Sequence, residues 1–188
     1  MKKQTLVFGA GAIGKAVAGY SFAMADCGVI FTDVNEDVIA DLNRRKSYRI
    51  YTGPDKYDIV MIAGAALTCD EEKVLRYIAA ADYVCVSVGK AHVDSVLDML
   101  AKGIRLRAAN PEANRLRILF FENIEDILGI ALRKLNLELN AYELAHVDII
   151  ETSIERMSRS MSAAQNDRDV IAEKFIPVIL DKKQAGGD

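Results

Sequence analysis

Three glycines in "GAGAIG", Gly9, Gly11 and Gly14, stand between the apolar run "QTLVF" and a stretch with helical periodicity. Residues in that arrangement suit the binding of a pyrophosphate. The first glycine permits a tight strand-to-helix turn, the second puts no Cβ between the backbone and the phosphates, and the third lets the helix lie close to the strand. The helix N-terminus adds N–H groups without intrahelical partners and a partial positive charge. Asp33 ends the next apolar run, "VIFTDV", about 20 residues beyond the loop, where a carboxylate accepts hydrogen bonds from ribose hydroxyls. It also repels a 2′-phosphate, so the pair favours NAD over NADP. The alternative is a tight turn with no ligand and an aspartate that merely ends a strand.

Little other material for chemistry is available. Two histidines, His92 and His146, are too few for a metal cage, and Cys27, Cys69 and Cys85 lack the paired spacing of a zinc site. The cysteines read as buried thiols of a reducing compartment, and no metal is expected. His92 follows "VGK" at a helix start, where it could approach a cofactor or sit as a solvated first-turn ring; Lys90 beside it could touch a phosphate or be a surface lysine. Arg156 and Arg159 in "ERMSRS" could clamp a sugar phosphate, whose oxygens match a guanidinium fork, or could pair with Glu151 and Glu155.

The elements that would position these residues follow from hydrophobic patterning. The runs at 4–9, 29–34, 82–89 and 115–123 are apolar without alternation, as parallel strands covered on both faces are. Between them lie helical patterns. The first carries Ile13, Val17, Tyr20 and Met24 on one face with Gly28 as its C-cap; the second, "EDVIADLNRRKS", is capped by Asn35; "DEEKVLRYIAA" and "AHVDSVLDMLAKG" follow, the latter closed by Gly103. "SYRIYTGPDKYDIVMIAG" predicts an antiparallel hairpin around Gly53-Pro54-Asp55, inserted into the sheet. Helical segments run to about residue 145, and "VDIIETSIERM" and "DVIAEKFIPVILD" read as strands at the far edge, with Pro177 arguing against a central place. The sum is an α/β domain over 1–188, a doubly wound, mostly parallel sheet with an inserted hairpin and extra C-terminal strands. Ligands of such sheets bind at the carboxyl ends of strands, which selects Gly9 to Gly14, Asp33, Gly89 and Asn123.

A net charge of −3, spread along the chain, offers no footprint for nucleic acid or an anionic membrane. No apolar run reaches spanning length, and the amino end is too glycine-rich for a signal peptide, so a cytoplasmic protein is expected.

The glycine loop, "FTDVNEDVIADLNRRKSYRI", "VSVG" and "LFFENI", read in this order, resemble the mannitol dehydrogenase family over most of the chain. "ETSIERM" is similar to a family segment, and "QNDRDV" to its Asn-Asp-Pro motif, with Arg168 where the family shows proline. The resemblance implies that Phe8, Gly9, Ala10, Gly11, Ala12, Ile13, Gly14, Asp33, Val34, Asn35, Val88 and Gly89 line an NAD site. It implies a small sugar or polyol phosphate as substrate, with Asn166 of the "QNDRDV" segment as a substrate contact, to which the guanidinium chemistry above adds Arg156. Asn123 would donate its amide N–H groups to the reacting oxygen; on residue type alone it could equally cap the next helix. The family places a lysine base on one helix of a separate domain, together with an asparagine and a histidine. That pattern is absent, so residues 1–188 read as the nucleotide-binding half, and self-association or a further domain would cover its surface. A free-standing nucleotide-binding module, or a reductase of the ketopantoate type that also uses "GAGAIG", are the competing readings.

Overall fold

A computed structural model describes residues 2–150, 152–154, 158–160, 169–173 and 178–180. The apolar run at the amino end forms β1 (Gln4–Phe8), and the chain then alternates through β2 (Gly28–Asp33), β5 (Gly64–Leu67), β6 (Tyr83–Val86), β7 (Leu116–Phe120) and β8 (Val147–Ile150). These six strands pair in parallel in the order β5-β2-β1-β6-β7-β8. Reversal of the winding between β1 and β6 opens a crevice at their carboxyl ends.

Alternate residues of the central strands serve opposite faces. Leu6, Phe8, Val84, Val86, Ile118 and Phe120 pack against α3 (Glu71–Ala80), α4 (Val93–Ala108) and α5 (Ile127–Glu138), while Val7, Phe31, Cys85 and Leu119 belong to the core on the other side. Each fully buried Leu, Val or Phe of these cores contributes about 1.5–3 kcal/mol. The second core lies against α1, wound as a π-helix over Gly14–Gly19 and as an α-helix over Tyr20–Met24. The wide turn leaves the Lys15 carbonyl accepting from both the Tyr20 N–H and the Tyr48 hydroxyl, the latter at 2.7 Å. α2 (Glu36–Arg45) starts as its sequence requires, the Asn35 Oδ1 accepting the Val38 N–H at 3.1 Å. The short α6 (Ala141–Leu144) carries a capping box between Asn140 and Glu143.

Several expectations need correction. The hairpin of β3 (Ser47–Gly53) and β4 (Lys56–Met61) is antiparallel as expected but does not enter the main sheet. It belongs to a second sheet of order β10-β11-β3-β4, where β10 is Ser158–Ser160 and β11 is Val170–Ala172. The neighbour of β2 is instead β5, whose "GAAL" carries no β-branched residue. Of the C-terminal strands, only β8 lies at the far edge; β9 (Thr152–Ile154) pairs with β12 (Val178–Leu180) in a small sheet of their own. Pro177 lies outside the described residues.

Gly28 caps no helix: α1 ends at Met24, Asp26 takes the left-handed turn, and Gly28 opens β2 against the Gln4 side chain. Met24, at 60% exposed, is not on the buried face. Gly103 lies within α4, where a Cβ would meet the Ile78 side chain of α3, so it lets two helices approach. Cys27 and Cys85 are buried as expected, but Cys69 is exposed, because the turn after β5 leaves it on the surface.

Candidate functional site

The glycine turn closes on the end of β6. Gly9 has φ +94°, and a methyl group there would run into the Ser87 carbonyl, while one on Gly14 would run into the Gly9 carbonyl. Both approaches fall below the 3.0 Å that real Cβ atoms respect, so these two glycines serve the turn and the helix-strand contact. Gly11 differs. Its missing Cβ points into open space, with nothing within 4 Å. The start of α1 is thus left open at Gly11, beside N–H groups of a first helical turn.

Asp33 joins this loop to the next strand. One carboxylate oxygen accepts the Ala10 N–H at 2.6 Å and the other accepts the Asn35 N–H at 2.9 Å. A carboxylate offers about four lone-pair sites, so acceptor capacity remains for two hydroxyl groups. Behind it, the Thr32 and Thr68 hydroxyls share a hydrogen bond of 3.0 Å.

A cavity of about 300 Å³ lies between the ends of β1, β2 and β6 and the start of α4. Phe8, Val88, Val96 and Met99 give it apolar walls, Asp33 is its one charged carboxylate, and His92 and Ser95 stand on the α4 side. Phe8, Gly9, Gly11, Asp33, Val34 and Val88 line it, whereas Ala10, Ala12, Ile13, Gly14, Asn35 and Gly89 do not. Ala10 is buried and acts through its N–H; Asn35 is occupied as the α2 cap.

Glu122 has a role that its residue type and position did not suggest. Its Oε1 accepts the N–H groups of both Val88 and Gly89, the latter at 2.7 Å, and so ties the end of β7 to the loop after β6, where Gly89 has φ +78°. Burial pushes this carboxyl upward from its ordinary value, and the Gly89 and Val88 N–H groups pull it back. The neighbouring Asn123 is exposed and does not cap the following helix: α5 has Asp126 at its N-cap position, with no side-chain cap. His92 is exposed within a single 3₁₀ turn, Lys90–His92, and Lys90 is exposed beside it. Arg156 and Asn166 lie outside the described residues.

Lys15 was not singled out by the sequence either. It is buried directly after the glycine loop, and burial lowers its pKa to about 8 against the opposing pull of Asp169 and Asp33. Asp169 accepts from the Arg45 guanidinium and, at 2.9 Å, from the Arg49 N–H, and Arg45 also faces Asp41 at 3.4 Å. No group of residues able to hold a metal ion occurs among the described residues. None of the described helices is long and apolar enough to cross a membrane.

Solved structures sharing this fold are dehydrogenases. D-mandelate dehydrogenase with NADH and anilino(oxo)acetate superposes with a TM-score of 0.63 at 12% identity, over 97% of this chain and 50% of that one. Yersinopine dehydrogenase with NADP+ bound gives 0.65 at 16%, over 99% and 43%. Octopine dehydrogenase with NADH and L-arginine gives 0.62 at 14%, over 95% and 41%. The chain thus spans half or less of the length of these proteins. The parallel sheet, the glycine turn and the carboxylate at the end of β2 define a Rossmann domain that binds a nicotinamide dinucleotide. More particularly, the model of the mannitol dehydrogenase Rossmann domain matches residues 3–188, and the chain belongs to the mannitol dehydrogenase family.

Proposed function

We propose that this chain is the NAD-binding part of a polyol-phosphate dehydrogenase that interconverts mannitol 1-phosphate and fructose 6-phosphate, of the mannitol-1-phosphate 5-dehydrogenase type. The observation that carries the cofactor half of this reading is Asp33, which faces the cavity, is held by the Ala10 and Asn35 N–H groups and retains lone pairs for ribose hydroxyls. Its charge would meet a 2′-phosphate directly, which favours NAD over NADP. The substrate half rests on the order of "FTDVNEDV", "VSVG" and "LFFENI" in a chain of this family.

In this reading Gly11 and the first turn of α1 take the pyrophosphate, Asp33 the adenosine ribose, and Val88, Val96 and Met99 the adenine face. Nicotinamide, when bound, supplies the hydride acceptor. Glu122 fixes the Val88–Gly89 loop, and Asn123, free of any capping duty, directs its amide N–H groups at the substrate oxygen as negative charge develops there. The alcohol proton goes to a general base, which we assign to the helical domain the family resemblance implies.

Calorimetric titration of the chain tests the cofactor half. NADH should bind at least about tenfold more tightly than NADPH, and Asp33→Ala should erase the difference. Absence of NADH binding, or tighter NADPH, overturns it. For the substrate half, the whole protein should reduce NAD with mannitol 1-phosphate and not with mannitol; the reverse preference refutes the phosphorylated substrate.

A further inference from the structure

At the opposite end of the sheet from the glycine turn lies a second cavity, of about 540 Å³. It is lined by Lys3, Phe22, Tyr83, Arg117, Leu119 and Ile150, together with Ala25 and Cys27. Strand register explains how these residues meet: Thr5, Tyr83 and Arg117 are direct neighbours across β1, β6 and β7, and β1 separates them from the nucleotide loop by about 13 Å at about 3.3 Å per residue.

Two cations converge on one aromatic ring. Lys3 Nζ lies 5.6 Å and Arg117 Cζ 5.8 Å from the Tyr83 ring centroid, and Lys3 also donates to the Tyr83 hydroxyl at 3.3 Å. Among the described residues, no carboxylate lines the cavity. Those nearby are engaged elsewhere: Asp26 with Lys2 at 2.7 Å, Asp82 with the Gln4 N–H at 2.9 Å, and Asp148 with Arg115 Nε at 2.9 Å. The Arg117 Nε is buried and has no hydrogen-bond partner, and neither has Thr5 Oγ1 in the same cross-strand row. The rest of the wall is apolar: the Phe22 ring at 5.0 Å from that of Tyr83, and the side chains of Leu119 and Ile150.

We infer that this cavity binds a small organic carboxylate, its head between Lys3 and the Arg117 guanidinium and its apolar body against Phe22, Leu119 and Ile150. A planar carboxylate matches the two parallel N–H groups of a guanidinium edge, and the converging positive charge supplies the attraction. This site is independent of the cofactor reading, and it stands or falls without it.

The probe is 3-phenylpropanoate, added to the ¹⁵N-labelled chain and followed by amide chemical shifts. Saturable one-site shifts centred on Tyr83, Arg117 and Leu119, absent from Gly9 to Gly14 and unchanged by saturating NADH, are expected. The neutral 3-phenylpropanamide should bind at least about tenfold more weakly, and Arg117→Met should weaken the carboxylate by a similar factor. The inference fails if no saturation is reached by about 10 mM, if the amide binds equally well, if NADH displaces the probe, or if Arg117→Met leaves affinity unchanged. Should Arg117→Met not fold, Lys3→Met, an exposed position, decides: a loss of about threefold or more supports the site and unaltered affinity refutes it.

Discussion

Alanine at each of the three loop glycines should separate turn geometry from ligand binding. At Gly14 the new methyl meets the Gly9 carbonyl, a backbone atom that cannot swing aside, below the 3.0 Å limit. Overpacking of this kind costs about 1–3 kcal/mol or somewhat more. For a chain of this length each kcal/mol moves Tm by about 2–4 °C, so Gly14→Ala should melt about 2–12 °C lower. Gly9→Ala meets the Ser87 carbonyl and must also hold an L-residue at φ +94°, a further cost of about 1–2 kcal/mol, and should melt lower still. At Gly11 the methyl meets nothing and no positive φ is required, so the unliganded chain should melt at the wild-type temperature or slightly above it, by the few tenths to about 1 kcal/mol that lost unfolded-state freedom provides. The same methyl occupies the space a pyrophosphate needs. Losing one charge-assisted hydrogen bond there, about 1.5–3 kcal/mol, weakens NADH by about 10- to 100-fold. Thermal melts without ligand, followed by NADH titration, read both quantities. If Gly11→Ala keeps wild-type affinity, or melts as low as Gly14→Ala, the assignment of roles is wrong.

Glu122→Ala leaves the Val88 and Gly89 N–H groups without their acceptor and should lower stability by about 1.5–3 kcal/mol, whereas Glu122→Gln, keeping one acceptor oxygen, should lose clearly less in urea titrations. Lys15 has its pKa lowered in the folded chain to about 8 from 10.5, so between those values the unfolded state binds more protons and stability rises with pH. That rise should be missing from Lys15→Met when denaturation midpoints are compared across the window, and an identical slope in the variant would rule out the burial of this ammonium. In the native chain a thiol reagent should modify one cysteine quickly, Cys69, and the buried Cys27 and Cys85 only after unfolding; fast reaction of two or more contradicts the packing.

The first two strands, the glycine turn and Asp33 could be read directly because their signals are local. Each strand is a continuous apolar run, and the turn and carboxylate sit at its end. The Asn35 cap could be read for the same reason. The hairpin was half visible: Gly53-Pro54-Asp55 announces the turn, but which sheet receives it depends on β11, and Val170 pairs with Ile50 across most of the sequence. β5 escaped notice because Gly64, Ala65 and Ala66 lack strand propensity and are strand only through the edge of β2. Gly28 and Gly103 look like helix ends in one dimension; the Gln4 side chain and Ile78 that give them their purpose are brought there by tertiary packing. Glu122 has no sequence signature either, since its partners are backbone N–H groups of another strand's loop.

The parallel pairing of β11 with β3, secured by Asp169 on Arg45 and the Arg49 N–H, also bears on the order of biosynthesis. While the chain is being made, Ile50 and Tyr51 leave the ribosome long before Val170 and Ile171, their strand partners, exist. Through that interval the hairpin has an open edge, and Arg45 lacks one of its two carboxylates. A contact so distant in sequence forms late, because its loop-closure entropy precedes any reward. The nucleotide cradle can therefore assemble on the nascent chain, while the second sheet becomes complete only after β11 has been made.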